Sequence, residues 1–311
     1  MSRPRQTQSY LRSLFDQRGI APRHRHGQNF LIDLNIHDLI VKSADLGPDD
    51  VVLEIGPGAG AMTALMASKA GAVVAVDVDP AMAALTAEAT AEMPNVRVFH
   101  ADALANKNTM NPEVIDSVRA GLAVAPSRRF KLVANLPYNI ATPIVTNLLV
   151  HPELSPSKIV VTIQLELAER MNAAPSTPSY GSLSVLIQSL ADFELVRVLQ
   201  PTVFWPRPKV ESAVVSITPD PSKRAAIGDL PWFHSVIRRL FLHRRKNLRR
   251  VLHSLWRDEL SKPDADALLD SLGLTGLIRA EAMNVEEFIA LTAALKTRLK
   301  PEAASTSEAD D

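Results

Sequence analysis

Five short apolar segments of this chain alternate with segments of helical periodicity, and this alternation restricts the fold more than any other feature. The predicted strands cover residues 51–55, 72–77, 96–99, 130–134 and 158–163. The predicted helices that alternate with them cover residues 62–69, 80–91, 143–150 and 164–172. Continuous apolar strands of this kind are typical of a parallel sheet with helices on both faces. We therefore predict an α/β fold.

Two later segments extend this sheet. Residues 193–199 and 212–218 are predicted strands, and they follow a predicted helix over residues 183–190. The Pro-rich connection from Pro201 to Pro208 that joins them is short enough for an antiparallel pair. The sequence therefore predicts a mostly parallel sheet with antiparallel pairing at one edge.

The composition changes near residue 220. The segment Pro219-Asp220-Pro221-Ser222-Lys223 is typical of a linker, and only helical periodicity follows it, over residues 232–256, 264–272 and 285–299. We predict a main domain over residues 27–219 and a smaller all-helical domain over residues 220–300. Residues 1–26 are predicted to be a basic arm, residues 105–128 an irregular insertion, and residues 301–311 an acidic disordered tail.

The composition excludes several classes of protein. There is no cysteine, so disulfides, thiolate nucleophiles and Cys-ligated metals are absent, and the eight histidines show no metal-ligand spacing. No apolar run approaches the length that crosses a membrane. The beginning of the chain, with six arginines and one acid in residues 1–26, fits an organellar transit peptide or a basic arm. We favour the arm and a cytoplasmic protein.

The formal net charge is zero, but the charges are unevenly distributed. Residues 230–257 contain eight Lys or Arg and no acid, which favours a nucleic-acid surface over a solvated charged face. On a single helix, one face would carry Arg238, Arg239, Arg245, Lys246, Arg249 and Arg250. Arg244 falls in the apolar stripe instead. Either the helix is interrupted near His243, or Arg244 is buried against an acid of the other domain; we favour the second.

A glycine-rich loop, Gly56-Pro57-Gly58-Ala59-Gly60, follows the first strand and precedes a helix. Its third glycine comes one residue earlier than in a dinucleotide fingerprint, and Pro57 removes an amide donor that a pyrophosphate would need. The loop therefore favours a nucleoside without phosphates, and Glu54 adds a carboxylate suited to a nearby cation.

Two acids follow the next two strands. Asp77 lies 21 residues after Gly56, where a carboxylate can accept hydrogen bonds from ribose hydroxyls, and Asp102 could accept from an adenine amine. In the alternative interpretation, Asp77 and Asp79 are solvated turn acids and Asp102 caps the next segment. Three such positions in phase with three strand ends favour an adenosine site.

The segment Asn135-Leu136-Pro137-Tyr138 follows the fourth strand, at the sheet edge where open α/β proteins place their chemistry. An amide oxygen can accept from an amine, and a tyrosine ring can stack on a flat heterocycle. We predict that Tyr138 stacks on a target base, with Phe204 as a possible second wall. The alternative is that Tyr138 packs on the edge of the sheet.

Eight motifs, in this order along the chain, resemble those of the KsgA family of ribosomal RNA adenine N6,N6-dimethyltransferases, which use S-adenosylmethionine. The resemblance covers about residues 23–295. The motifs are Gly27-Gln28-Asn29-Phe30-Leu31, Glu54-Ile55-Gly56-Pro57-Gly58, Asn135-Leu136-Pro137-Tyr138-Asn139, Gln164-x-Glu166-x-Ala168-x-Arg170, Tyr180-Gly181-Ser182-Leu183-Ser184, Thr202-Val203-Phe204-x-Pro206, Ser212-Ala213-Val214-Val215 and His243-Arg244-Arg245-Lys246.

This resemblance implies a Rossmann-like class I methyltransferase and a role for each motif. Asn29 and Leu31 would close over the cofactor, and Gly56 and Gly58 would lie beside it. Asp77 would hold the ribose, although the family usually has glutamate there, and Asp102 would hold the adenine amine. The catalytic segment Asn135-Leu136-Pro137-Tyr138 would hold the target, with Asn135 bridging cofactor and target.

The implied substrate is a pair of adjacent adenosines near the 3′ end of small-subunit ribosomal RNA, in a pre-30S particle, and we expect a monomer. Three alternatives remain open: an erythromycin-resistance type methyltransferase of 23S ribosomal RNA, a non-catalytic ribosome-assembly or transcription factor on the same scaffold, and, least favoured by the glycine spacing, a dehydrogenase.

Overall fold

The computed structural model describes residues 6–22 and 27–299. The chain divides into two compact units, Met1–Glu169 with Ala191–Pro219, and Arg170–Leu190 with Asp220–Asp311. The predicted boundary near residue 220 agrees with one of these divisions, but it left Arg170–Leu190 in the first domain. This segment belongs with the helices of the second unit, because its helix packs against three of them.

The strands of the described chain are β1 (Phe30–Leu31), β2 (Asp50–Ile55), β3 (Ala72–Asp77), β4 (Val96–His100), β5 (Leu104–Asn106), β6 (Thr109–Met110), β7 (Arg129–Asn135), β8 (Lys158–Gln164), β9 (Ala191–Leu199), β10 (Phe204–Trp205) and β11 (Ser212–Pro219). The α-helices are α1 (Gln8–Arg18), α2 (Leu34–Ser43), α3 (Ala61–Ala67), α4 (Pro80–Ala89), α5 (Pro112–Leu122), α6 (Ala141–Val150), α7 (Leu165–Met171), α8 (Ser182–Leu190), α9 (Pro221–Ile227), α10 (Leu230–Phe241), α11 (Leu248–Leu255), α12 (Lys262–Ser271) and α13 (Val285–Arg298).

The first unit contains a seven-stranded sheet in the order β4-β3-β2-β7-β8-β11-β9. In this sheet β4, β3, β2, β7 and β8 are parallel to one another. Strand β11 runs antiparallel to both β8 and β9. The predicted fold class is confirmed. The chain builds outward from β2 to β3 and β4 on one side, and to β7 and β8 on the other. Beside β2 the strand order therefore reverses, and open α/β sheets bind ligands at the carboxyl ends of strands at such a point.

Helix α5 corrects the prediction of an irregular insertion over residues 105–128. It packs on β2, β3 and β7 and buries Val114, Ile115 and Val118. A crossover from β4 at the sheet edge back to β7 has to cover a face of the sheet, so an amphipathic helix is expected there. Between β4 and β7, the short hairpin of β5 and β6 is the part that departs from the regular alternation.

Helix α1 corrects part of the predicted basic arm. It begins after Thr7, whose hydroxyl accepts from the Tyr10 N–H, and ends at Gly19, which adopts a left-handed conformation. It buries Leu11 and Phe15 and leaves its arginines on the outside. Residues 1–5 and 23–26 of the predicted arm, and the predicted acidic tail, lie outside the described residues.

The second unit corrects the prediction of one helix over residues 232–256. Helix α10 ends at Phe241 and α11 begins at Leu248, because Asn247 pairs with Arg279 and the Leu248 N–H donates to the Ile278 carbonyl. Arg244 lies in the interruption. It donates to two carbonyls, those of Pro178 and Tyr180, and its Nε is 3.7 Å from Glu281. All of these belong to the same unit, so our favoured explanation of Arg244 was wrong. The predicted linker forms the start of α9.

Among residues 6–22 and 27–299, no helix has the length and apolar character needed to cross a membrane.

Candidate active site

The carboxyl ends of β2, β3 and β7 open onto one cleft, and the segment before β1 contributes a further wall. Because β3 and β7 flank β2 in the sheet, the loops after these three strands are neighbours. The cleft is lined by Gly27, Gln28, Asn29, Phe30, Gly56, Gly58, Asp77, Val78, Met82, Asn135, Leu136, Pro137 and Tyr138. All of these residues belong to the first unit. The fold thus brings together most of the residues that the sequence suggested.

The glycine-rich loop has no room for side chains on its cleft side. Gly56 and Gly58 have φ angles of 75° and 62°, which other residues rarely adopt. A Cβ on Gly56 would lie 3.2 Å from Pro137 Cδ, and one on Gly58 would lie 3.1 Å from Phe30 Cδ1. The backbone of this loop therefore packs closely against both neighbouring walls of the cleft.

Asp77 ends β3 with its carboxyl largely buried. Its Oδ1 accepts from the Asp79 N–H at 2.9 Å. Burial raises the pKa of Asp77 to about 6, against the opposing effect of backbone hydrogen bonds from Asp79 and Gly58. Asp79 is also buried, caps α4 and accepts from Gln28 Nε2 at 3.0 Å. Both acids are therefore part of the site's structure, and the alternative that they are solvated turn acids is wrong.

Glu54 lies on β2, two residues before the glycine-rich loop begins at Gly56, and is completely buried. Thr63 Oγ1 donates to its Oε2 at 2.5 Å, while Oε1 accepts no hydrogen bond from the described residues. Burial raises the pKa of Glu54 to about 8, although the Thr63 hydrogen bond opposes this. The Glu54 carboxyl therefore holds a proton more readily than an exposed glutamate does, and its suitability for a nearby cation stays a prediction.

Asn135 is the last residue of β7, and the nitrogen of its side-chain amide is hydrogen-bonded. Its Nδ2 donates to the Asn29 carbonyl at 3.0 Å. This bond fixes the amide plane and leaves Oδ1 available to a donor in the cleft. The next residue, Leu136, has a buried side chain and donates its N–H to the Thr162 carbonyl at 3.2 Å. Its own carbonyl accepts no hydrogen bond within the described chain, so two acceptors are available at adjacent positions.

Tyr138 lines the cleft with a half-buried ring. Its hydroxyl is 2.6 Å from the hydroxyl of Ser212, the first residue of β11. Burial raises the pKa of Tyr138, so the phenol stays neutral at physiological pH. The hydrogen bond to Ser212 fixes the ring at the cleft wall, which the prediction of a stacking surface requires.

The family model for ribosomal RNA adenine dimethylase matches residues 20–293. The chain belongs to this family. The resemblance predicted from the eight motifs is confirmed.

Three known proteins illustrate the similarity. Ribosomal RNA small subunit methyltransferase A of Pelotomaculum thermopropionicum is 38% identical over 285 residues, which cover 90% of this chain and 94% of the relative. The crystal structure of a 23S rRNA methyltransferase, ErmE, has a TM-score of 0.61 and 27% identity, and covers 86% of this chain and all of ErmE. A dimethyladenosine transferase from Plasmodium falciparum has a TM-score of 0.71 at 22% identity, covers 86% of this chain and 97% of that chain, and shows the fold.

The cleft fits S-adenosylmethionine, the methyl donor of the ribosomal RNA adenine dimethylase family. The bare backbone at Gly56 and Gly58 permits close approach of an uncharged or cationic ligand. The Asp77 carboxyl at the end of β3 can accept from ribose hydroxyls. The unsatisfied Oε1 of Glu54 is a buried polar atom beside the same loop. These features are the ones expected of a nucleoside site without phosphates.

Three predicted site residues do not line the cleft. Leu31 and Phe204 are 4% and 3% exposed and pair with each other between β1 and β10, inside the hydrophobic core. The Phe204 ring is therefore not available to stack on a base, and the predicted second wall is wrong in this structure. Asp102 is exposed, and its Oδ1 caps the Leu104 N–H at 2.9 Å. Its contact with an adenine amine stays a prediction.

Helix α1 is a support for the cleft that the sequence analysis missed. Leu11 and Phe15 pack with Phe30 and Met82, which line the cleft, and the Phe15 and Phe30 rings meet edge to face at 5.2 Å. Arg18 makes two hydrogen bonds, of 2.9 and 2.6 Å, to Glu88 on α4. A sequence signal for this helix was available: Leu11 and Phe15 are spaced four residues apart, between a helix-capping Thr7 and a helix-terminating Gly19.

Replacing Phe15 with Ala should weaken cofactor binding, because Phe30 and Met82 lose the ring that holds them in the cleft wall. We expect a five- to twentyfold rise in the dissociation constant of S-adenosylhomocysteine, measured by calorimetry, which corresponds to about 1–2 kcal/mol. Phe288→Ala removes an equally buried ring from the second unit and serves as the control. Equal affinity losses in the two variants would show that α1 has no particular role at the cleft.

The six basic residues predicted to bind RNA do not share one helical face. Arg239 lies over the Trp256 ring at 4.6 Å and donates to the Leu255 carbonyl, and Arg249 pairs with Asp266 at 2.7 Å. The remaining four are exposed and make no ion pair within the described residues: Arg238, Arg245, Lys246 and Arg250. The break between α10 and α11 places them on two helices and the turn between them. Their contact with RNA stays a prediction.

Proposed function

We propose that this protein dimethylates N6 of two adjacent adenosines near the 3′ end of small-subunit ribosomal RNA. It is an S-adenosylmethionine-dependent ribosomal RNA adenine dimethyltransferase. The observation that carries the proposal is the Asn135 amide, held through Nδ2 with Oδ1 available to the cleft, next to the glycine-rich loop. The 38% identity to a small-subunit enzyme favours this substrate over the 23S RNA of ErmE.

The target nitrogen needs activation, because the lone pair of adenine N6 is delocalised into the ring. Asn135 Oδ1 and the Leu136 carbonyl would accept the two N6 hydrogens and turn the lone pair out of the ring system. S-Adenosylmethionine, when bound, supplies the methyl group as an electrophilic sulfonium. The amide oxygen is too weak a base to take the proton, which is released to water after transfer. Catalysis then depends on positioning and on dipoles matched to the developing charge.

The second methylation sets a further requirement. N6-Monomethyladenine has one hydrogen on N6, so one of the two acceptors must be dispensable in the second round. Both acceptors are held by the protein, the Asn135 amide through its Nδ2 hydrogen bond and the Leu136 carbonyl as part of the backbone. The monomethylated amine would therefore keep one of the two contacts without any movement of the acceptors.

Tyr138 is expected to stack on the base after it has left its own strand. Tyr138→Ala should raise the KM for RNA about 5- to 150-fold, because stacking on an aromatic ring is worth about 1–3 kcal/mol per base. Tyr138→Phe keeps the ring and loses only the hydrogen bond to Ser212, so its KM should change by less than about fivefold. Similar KM values for the two variants would contradict a stacking role.

The physiological substrate, a pre-30S particle bound by a monomer in the cytoplasm, belongs to this proposal as well. The exposed cations Arg238, Arg245, Lys246 and Arg250 of the second unit support RNA binding there, because none has an acidic partner in the described chain. We assign them to phosphate contacts that hold the RNA in register.

The proposal is tested by tritiated-methyl transfer from S-adenosylmethionine to small ribosomal subunits that lack this modification, followed by digestion to nucleosides. The expected product is labelled N6,N6-dimethyladenosine. A parallel reaction with large subunits should give none. Label on large-subunit RNA would support the 23S alternative, and no label on either would support a binding protein.

A further inference from the structure

The loop over residues 206–211 lies at the rim of the cleft, and neither the cofactor site nor the predicted RNA-binding residues account for it. It leaves β10 at Trp205, which pairs with the cleft residue Phe30. It enters β11 at Ser212, whose hydroxyl contacts Tyr138. Both ends of the loop are therefore attached to walls of the cleft.

The loop presents two cations without acidic partners. Arg207 and Lys209 are exposed, and neither makes an ion pair within the described residues. Other exposed cations of the first unit, such as Lys42 and Lys69, also make no ion pair within the described residues, whereas Arg18 and Arg119 do. The position of Arg207 and Lys209 between two walls of the cleft therefore distinguishes them. The acid of the loop itself, Glu211, accepts from Gln200 Nε2 instead.

The position of the two cations is restricted. Pro206 and Pro208 each fix a backbone angle, so the loop has less freedom than its length suggests. Lys209 is three residues from Ser212, which keeps their Cα atoms within about 11 Å. A lysine side chain that extends from there toward the cleft would reach the nucleotides next to a base held on Tyr138.

We propose that Arg207 and Lys209 bind the phosphates on either side of the target adenosine. This inference rests on the proposed function, since it assumes an RNA strand with one base in the cleft. When an RNA base is flipped out into a cleft, the sugar-phosphate backbone next to it has to be held in place. Phosphate contacts do this and set the register of the bound nucleic acid. The loop would thus form an RNA contact on the first unit itself, separate from the basic residues of α10 and α11.

The test compares two double neutralisations. Arg207→Gln with Lys209→Gln removes the two loop charges. Lys42→Gln with Lys69→Gln removes two exposed charges at the opposite edge of the sheet, where α2 and α3 end. A third protein, Arg207→Lys with Lys209→Arg, keeps the charges of the loop. Each is assayed for methyl transfer to undermethylated small subunits and for affinity to the same particles at several salt concentrations.

For the loop neutralisation we expect at least a tenfold rise in the KM for the particle, with kcat within twofold. The slope of log affinity against log salt should fall by about 1.4, since each phosphate contact on a single strand contributes about 0.7. The charge-retaining protein and the Lys42 and Lys69 control should resemble wild type. Equal slopes for the loop neutralisation and wild type would overturn the inference, as would equal losses in the control.

The salt slopes also separate this inference from the proposed function. If wild type binds the particles but transfers no methyl group, the dimethylation proposal fails and the slopes still decide the role of the loop. If wild type is active and all slopes agree, only the loop assignment fails.

Discussion

Asn135→Ala should reduce kcat for methyl transfer by about 10²–10³-fold, the size of effect seen when one preorganised polar group at a developing charge is removed. The Asn135 amide is fixed by its hydrogen bond to the Asn29 carbonyl, so its oxygen is in place before the substrate arrives. Affinity for S-adenosylhomocysteine should change only a few-fold, because the glycine-rich loop and Asp77 are untouched. Single-turnover transfer to undermethylated small subunits measures the first quantity, and calorimetry measures the second.

The matched control for this prediction is Asn139→Ala. Asn139 lies in the same loop, is exposed and does not line the cleft. It should therefore retain near-normal turnover. Turnover within tenfold of wild type in Asn135→Ala would remove the amide from the mechanism, whereas a parallel loss in Asn139→Ala would attribute the effect to the loop as a whole.

Glu54→Gln should stabilise the ligand-free protein in alkaline solution, and the gain should depend on pH. The folded protein keeps Glu54 protonated up to a pKa of about 8, whereas the unfolded chain releases this proton near the ordinary glutamate pKa of 4.5. Between these values the folded state binds more protons, so wild type loses stability as pH rises, at about 1.4 kcal/mol per pH unit. Glutamine cannot titrate and avoids this loss.

The expected result is a stability difference that is small near pH 5, grows to a few kcal/mol by pH 8, and is constant above pH 8. Denaturant unfolding at several pH values measures it. Glu92→Gln changes an exposed glutamate and should follow the wild-type profile. A difference between Glu54→Gln and wild type that does not change between pH 5 and 8 would show that the buried carboxyl is ionised in the folded protein.

The inner parallel strands of the sheet were predictable because they are buried on both faces. Mainly apolar runs mark β2, β3, β7 and β8, which were located to within one or two residues, whereas the edge strand β4 is only partly buried. The missed helices had weaker signals. Helix α1 has only a short apolar stripe, and its arginines lie on the exposed side. The residues that the stripe packs against, such as Phe30 and Met82, are distant in sequence.

Periodicity signalled the break between α10 and α11 but did not decide it. Arg244 falls in the apolar stripe, which left a helix interruption near His243 and a buried arginine as alternatives, and we favoured the second. The structure has the interruption, where the strand-like pairing of Asn247 with Arg279 replaces helical hydrogen bonds. Such tertiary contacts override local preference. The prediction of a single basic face failed for this reason.

Cleft residues could be predicted where a characteristic residue type follows the end of a predicted strand, as for Gly56, Asp77 and Asn135. They could not be predicted where burial decides whether a side chain lines the cleft or packs in the core. Phe204 lies in a family motif, but sequence does not distinguish an aromatic ring at a cleft wall from one in the core behind it. The raised pKa of Glu54 likewise follows from complete burial, which only the packed structure reveals.

The central claim is that the neutral Asn135 amide oxygen accepts a hydrogen bond from the target amine next to the methyl donor. The most direct measurement is a crystal structure of the protein with S-adenosylhomocysteine. We expect its sulfur in the cleft between Gly56 and Asn135, with Asn135 Nδ2 still bonded to the Asn29 carbonyl and Oδ1 facing the space next to the sulfur. A ligand bound elsewhere, or an amide turned with Oδ1 away from that space, would contradict the account.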